Sequence, residues 1–251
     1  MTTHLLVRFS ILILAASGIC SPFTANAASP MAFRHLGIEQ GLSQSSVLSI
    51  TQDKLGNLWF GTQDGLNVFD GYDFKVYKTD VSNPTSLPSS FVGALFTDSQ
   101  GRIWAGTASG LSRFDARDRF FENFDGITHG AVNHISAFNS SLALSTDGGL
   151  VLFHPDDGSS EPIHLGTESI VRSTFPWERS LLIASDAGLF LLREGRVSPV
   201  SGFSNVDVHA VALNEALLQL NPVRILGFPD AEIVAYLDGK PLAVSIARRS
   251  E

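Results

Sequence analysis

The sequence predicts an all-β chain, a β-propeller of four-stranded antiparallel blades, and three observations predict it. A motif recurs at a period of about forty residues, which is the spacing of propellers and solenoid arrays. Each copy divides into four short runs of strand-forming residues with no helical periodicity between them. The runs are punctuated by glycine-containing turns at matching places in every copy.

In the first copy Val47 leads to Asp53, Gly56, Trp59, Gly61, Thr62, Gly65, Leu66, Phe69 and Asp70. At an offset of 45, Val92 leads to Asp98, Gly101, Trp104, Gly106, Thr107, Gly110, Leu111, Phe114 and Asp115 with no gap. A worn third copy keeps Thr146, Gly149, Leu150 and Phe153, and a fourth keeps Ser185, Gly188 and Leu189. The Gly-Leu pairs fall at 65, 110, 149 and 188, so the period is 39 to 45. Four strands in that length make a propeller blade rather than a helical repeat.

Within the first copy, strands are predicted over Val47–Gln52, Leu58–Thr62, Leu66–Phe69 and Phe74–Lys78. They are separated by Asp53 to Gly56, Gln63 to Gly65 and Asp70 to Asp73. Gly56, Gly65 and Gly71 suit turn conformations that a Cβ penalises. Asp53 and Asp98 open turns whose backbone N–H groups their carboxylates can accept. Trp59 and Trp104 belong where an inner strand faces the next blade and large apolar area is wanted. Thr62 and Thr107 stand at strand ends, where a hydroxyl satisfies a free backbone group. Four blades are expected at about 47–90, 91–130, 131–168 and 169–202, preceded by a segment over 28–46. Within that segment, Phe33 to Leu36 reads as a lone strand able to close a ring. Residues 203–251 keep strand-like runs but lose the motif, and are expected to form a degenerate or truncated blade.

Residues 1–27 have a different character. A short basic region at Arg8, an apolar run from Phe9 to Ala16, and small residues at Ala25 and Ala27 make the pattern of a cleavable secretory signal. A periplasmic product cut after Ala27 is expected. Cys20, the one cysteine of the chain, would leave with that segment, so neither a disulfide framework nor a cysteine zinc site is expected. No later apolar run approaches the roughly 18 residues needed to span a bilayer. The charge is −8 with no block of Lys or Arg, which argues against a nucleic-acid partner.

The run Gly41-Leu42-Ser43-Gln44-Ser45-Ser46-Val47, then Asp53, Leu58-Trp59-Phe60-Gly61-Thr62-Gln63-Asp64-Gly65-Leu66-Asn67 and Phe69-Asp70-Gly71-Tyr72, resembles the two-component regulator propeller. The resemblance is specific over 33–125 and thins out towards 195. It implies the extracytoplasmic sensor region of hybrid histidine kinases or membrane diguanylate cyclases, without catalysis of its own. A small-molecule or glycan ligand and a kinase or cyclase output region, in a longer parent or a partner protein, are then expected. Relatives of this kind have about seven blades per ring. The length after cleavage holds about five at this period, so a fragment without membrane helix or output domain is expected, with a divergent small propeller as the alternative to truncation. A secreted propeller enzyme acting on glycans, a lyase or hydrolase, is the alternative.

Other residues suggest chemistry only weakly. Asp98 to Trp104 resembles the Asp-box turn of sialidase-type propellers with one extra residue, and those turns are structural. His129, His134, His154 and His164 have no metal-ligand spacing. Asp156-Asp157-Gly158 lacks the later oxygen ligands of a calcium loop. No catalytic, cofactor-binding or metal-ligating residue is assigned, and no cofactor is expected. Intact-mass measurement on the periplasmic fraction should find Ala28 at the mature N-terminus; an uncleaved membrane-bound form would contradict the secretory reading.

Overall fold

The computed structural model describes residues 35–212, 234–237 and 240–246. The proposed signal segment, with Phe33 and Arg34 of the predicted lone strand, lies outside the described residues. His35 and Leu36 are not in a strand, and a single 3-10 turn follows at Ile38–Gln40. No described helix is long and apolar enough to cross a membrane.

The chain is a β-propeller repeat array. Blade 1 contains β1 (Val47–Gln52), β2 (Leu58–Thr62), β3 (Gly65–Phe69) and β4 (Phe74–Tyr77). Blade 2 contains β5 (Val92–Thr97), β6 (Ile103–Thr107), β7 (Gly110–Asp115) and β8 (Phe120–Phe124). Blade 3 follows with β9 (Val132–Phe138), β10 (Ser141–Thr146), β11 (Gly149–Phe153) and β12 (Ser160–Ile163). Blade 4 has β13 (Val171–Trp177), β14 (Ser180–Ser185), β15 (Gly188–Arg193) and β16 (Arg196–Ser204). All four are antiparallel meanders in chain order. The fifth sheet has three described strands, β17 (Val208–Ala212), β18 (Val234–Leu237) and β19 (Lys240–Ile246), in the order β17-β19-β18. Its last strand is therefore central, which departs from the meander of the other blades.

The first strands of successive blades pack side by side, β1 on β5, β5 on β9, β9 on β13 and β13 on β17. Between blades lie apolar seams. Trp59 and Leu66 of blade 1 meet Ile103, Ala105 and Phe121 of blade 2. Trp104 and Leu111 of blade 2 meet Leu144, Val151 and Phe153 of blade 3. Leu150 meets Leu181, Ile183 and Leu192 across the third seam, and Leu182 and Leu189 meet Val208 across the fourth.

Each seam also receives one residue from just ahead of the next blade, from a connection in the first three cases and from the end of β16 in the fourth. Leu87, Ile127, Leu165 and Phe203 take these places, five or six residues before Val92, Val132, Val171 and Val208. Leu42 is the equivalent before Val47 and is buried with Phe60 and Phe69 on the other face of blade 1. Ser43 fixes that segment: its backbone N–H donates to Asn67 Oδ1 at 2.8 Å, and its hydroxyl meets Thr62 Oγ1 at 2.9 Å.

Gly61 and Gly106 permit close approach across the first two seams. A Cβ at Gly61 would stand 2.7 Å from the Val92 carbonyl oxygen, and one at Gly106 2.6 Å from Val132 Cγ1. Ser145 and Ala184 occupy the same register in blades 3 and 4, so the later seams admit a side chain there.

Gly65 and Gly110 separate two effects. Their φ angles are nearly equal, 129° and 127°, in a region L side chains avoid. A Cβ at Gly65 would lie 2.7 Å from the Tyr77 carbonyl oxygen, whereas at Gly110 the nearest atom is 3.7 Å away. Gly110→Ala should therefore cost about 1–3 kcal/mol of backbone strain alone, and Gly65→Ala distinctly more. Urea unfolding of both variants checks the order.

Candidate functional site

Two sets of residues repeat along the strands, and they behave differently. The first set is the sequence motif. Asp53 Oδ1 accepts the N–H groups of Leu55 and Asn57, both at 2.9 Å, and so organises the turn between β1 and β2. Its Oδ2 accepts Asn57 Nδ2 at 2.9 Å and the indole N–H of Trp59 at 3.0 Å. Asp98 repeats this: Oδ1 accepts from Gln100 and Arg102, and Oδ2 from the Arg102 guanidinium and the Trp104 indole. The indole bond is absent from the sequence reading above, although the constant spacing from Asp to Trp in both copies carries it.

Gly56 and Gly101 turn these loops at φ 90° and 86°. The Thr62 hydroxyl donates to the Gly65 carbonyl and accepts from Asp64 N–H, at 2.9 and 3.1 Å. Thr107 does the same with Gly110 and Ser109, Thr146 with Gly149 and Gly148, and Ser185 with Gly188 and Ala187. Leu66, Leu111, Leu150 and Leu189, which follow those glycines, are buried in the four seams. Every motif residue is thus engaged in a turn or a seam.

The second set lies at the start of each inner strand. The pairing register slips by one residue between Val47 and Ser49, Val92 and Ala94, Val132 and His134, Val171 and Ser173, and Val208 and Ala210. Each slip is a β-bulge, which re-aims the extra residue away from the ladder. The bulged residues are Leu48, Gly93, Asn133, Arg172 and His209. The preceding residue is valine in all five strands, whereas the bulged residue differs in all five.

The polar members gather where blades 3, 4 and 5 meet. Asn133 Nδ2 donates to Asp147 Oδ1 at 3.0 Å and to the Val171 carbonyl at 3.2 Å. Arg172 forms a two-point contact with Asp207, Nε to Oδ1 at 3.2 Å and Nη2 to Oδ2 at 3.1 Å. His209 Nε2 stands 3.5 Å from Asp207 Oδ2. Asp186 Oδ1 accepts the Ile170 N–H at 3.0 Å. The Arg172 hydrogen bonds hold the Asp207 carboxyl below its usual range against the effect of burial, with the Arg172 charge and His209 adding to them. Asp207 raises the Arg172 pKa in turn. Each partner favours the charged form of the other, which suits recognition of polar groups.

The four histidines lie apart in role. Burial lowers the pKa of His134, and its Nδ1 faces the Thr174 N–H at 3.3 Å. His154 Nδ1 meets the Ser141 hydroxyl at 2.9 Å, while His129 and His164 are exposed. Asp157 accepts from Ser159 within a turn. Among the described residues no three His, Cys, Asp or Glu side chains are grouped to hold a metal.

Sheets in this order, with seams of this kind, define a β-propeller. Residues 41–64 and 86–109, in the first two blades, match the family model Two component regulator propeller. Over 47 residues the chain is 60% identical to histidine kinase P4 of Formosa agariphila, a stretch covering 19% of this chain and 3% of that protein. The fold is also that of the extracellular domain of a protein described as a hybrid two component system of B. thetaiotaomicron. That likeness has a TM-score of 0.52 at 22% identity and covers 72% of this chain and 33% of the other. Virginiamycin B lyase of Staphylococcus aureus has a TM-score of 0.52 at 14% identity, over 66% of this chain and 59% of the lyase. Both structural likenesses show the fold alone. The chain spans only a small part of the histidine kinase and a third of the extracellular domain.

The partly buried turn carboxylates give a pH dependence. Burial would raise Asp53 and Asp98, but the hydrogen bonds from Trp59 and Trp104, with those from their turns, bring both below 3.8. Their contribution is complete above that value and is lost as pH falls through the lower folded pKa. Thermal unfolding between pH 6 and pH 2 should show a steep acid loss in the parent chain and a shallower one in Asp98→Asn.

Proposed function

We propose that this chain is a non-catalytic extracytoplasmic sensor module whose bulge-bearing face binds a small molecule or glycan. The observation that carries the reading is the contrast at the inner strands. The same backbone device recurs five times with a constant valine, yet the re-aimed side chain changes from Leu48 and Gly93 to Asn133, Arg172 and His209. Positions that perform one structural task keep one residue type. Positions displayed on a fixed scaffold and varied are where binding specificity is written. Arg172 and His209 supply donors, Asn133 is fixed beside them by Asp147 and the Val171 carbonyl, and the neighbouring carboxylates supply acceptors, which is the equipment for recognising hydroxyl-rich or carboxylate-bearing molecules.

The family match supports a signalling role, and the identity to a histidine kinase supports a kinase or cyclase output region in a longer parent or a partner protein. Export through residues 1–27, with cleavage after Ala27, accords with the extracellular location of the B. thetaiotaomicron domain. In this reading occupancy is relayed by the module and chemistry is done elsewhere.

Thermal-shift screening of the chain against mono- and oligosaccharides tests the reading. A ligand present at a hundred times its Kd adds about 2.7 kcal/mol. At roughly 2–4 °C per kcal/mol for a chain of this size, its midpoint should rise by about 5–10 °C. Arg172→Leu and Asn133→Ala should abolish the rise while retaining cooperative unfolding. A ligand that the chain converts to product, detected by mass spectrometry, would establish an enzyme instead.

A further inference from the structure

The repeat allows blade 1 to be compared with blade 2 position by position. Asn57 and Val68 stand at the offsets of Arg102 and Arg113. The cross-strand partners agree, Trp59 with Val68 and Val68 with Lys75 in one blade, Trp104 with Arg113 and Arg113 with Glu122 in the other. In blade 2 both guanidiniums cover the tryptophan: their central carbons lie 5.4 and 5.7 Å from the Trp104 ring centroid. Each is neutralised within the blade, Arg102 by Asp98 and Arg113 by Glu122.

Blade 1 lacks both arginines, and a cavity of about 400 Å³ stands in the corresponding place. Val68, Tyr77 and Phe114, all partly exposed, form its apolar floor with Trp59 beneath them. The rings of Tyr77 and Phe114 meet edge-on with centroids 5.3 Å apart.

Lys54, Lys75 and Arg119 also line the cavity, and none of them forms an ion pair among the described residues. Lys75 holds the position that Glu122 holds in blade 2, so the local charge is inverted. Its Nζ stands 4.6 Å from the Tyr77 ring centroid. The carboxylates at the rim do not cancel this charge equally. Asp53 is saturated by four donors, and Asp70 accepts the turn N–H groups of Tyr72 and Asp73. Asp73 lines the cavity as well.

The geometry points to a binding site for a cyclic carboxylic acid in this cavity. The apolar face of one ring rests on Val68, Tyr77 and Phe114, and its carboxylate meets Lys75 with Lys54 and Arg119 alongside. An aromatic floor offers a ring broad dispersion contact, and unpaired cations beside a half-dry surface favour an anion more than bulk water does. A uronic acid and an aromatic acid both have this chemistry; Asn57 and Asp73 offer hydrogen bonds to hydroxyl groups that only the sugar possesses. The cavity lies by the β1–β2 and β3–β4 turns, at the opposite end of the strands from the bulges. It is therefore independent of the site proposed above.

Titration of the full chain with glucuronate, benzoate and glucose, followed by the indole N–H resonance of Trp59, tests the assignment. At least one of the two acids should shift that resonance saturably, about tenfold more tightly than glucose. Glucuronate ahead of benzoate identifies a sugar acid, and the reverse order an aromatic acid. Lys75→Gln should weaken acid binding about tenfold and leave glucose unchanged. Val68→Arg with Lys75→Glu, which copies the arrangement of blade 2, should abolish acid binding. Should that double variant fail to fold, the exposed Lys75→Gln decides alone. Absence of a saturable shift with either acid up to about 50 mM, well above the millimolar range of weak single-ring ligands, overturns the assignment. Equal affinity for glucose and the acids, or acid binding undiminished in Lys75→Gln, overturns it too.

Discussion

The stacking of one sheet on the next at the tryptophans of blades 1 and 2 is the contact on which the rest of the array depends. Trp59 lies against Phe114 of blade 2 with ring centroids 4.8 Å apart, and Trp104 lies 5.6 Å from Phe153 of blade 3. An indole is large enough to span a seam, but its N–H must find an acceptor once buried. Asp53 and Asp98 provide it from the turn of the same hairpin. One carboxylate therefore orders a loop and sets the angle of the ring that joins two blades. Local turn chemistry and long-range packing are coupled through a single side chain.

This coupling explains why some positions tolerate variation and others do not. Gly61 and Gly106 are required by the same closeness of sheets, since any side chain there meets the next inner strand. The threonines that staple Gly65 and Gly110 hold the β2–β3 and β6–β7 hairpins in register. Held in this way, the inner strands can carry a bulge at their start without losing alignment, and the bulged side chain becomes the variable element. The tryptophan of blade 1 has a second freedom, because Asn57 and Val68 leave it beside a cavity where Arg102 and Arg113 stand over the ring in blade 2.

Much of blades 1 and 2 was legible in the sequence. Val47–Gln52 and Leu58–Thr62 are strands over the residues the alternation indicates, while the third strand starts one residue earlier, at Gly65, and the fourth ends at Tyr77 rather than Lys78. Those ends depend on which backbone groups find a partner, and side-chain pattern does not report that. The seam residues ahead of each blade were half visible: Leu42 and Leu87 share the repeat offset. Ile127 and Phe203 differ in type and Leu165 is displaced by one, so the later ones are concealed. The bulges left one trace, the valine before each of them, and nothing in that valine reports a slip of register. A register slip is a property of backbone hydrogen bonds, and Leu48, Gly93, Asn133, Arg172 and His209 have no chemistry in common. The order β17-β19-β18 was equally hidden, because short apolar strands carry little information about which neighbour they pair with.

The position of Leu87 has a consequence for synthesis. It belongs to the seam formed by Trp59 and Leu66, yet it emerges from the ribosome before any strand of the blade that completes that seam. The forward face of a newly made blade can thus be covered by the chain that follows it at once, in the interval when a bare sheet is most exposed to aggregation. Ile127, Leu165 and Phe203 give the next three blades the same temporary lid. A chain whose sheets are useless apart can in this way be built one sheet at a time.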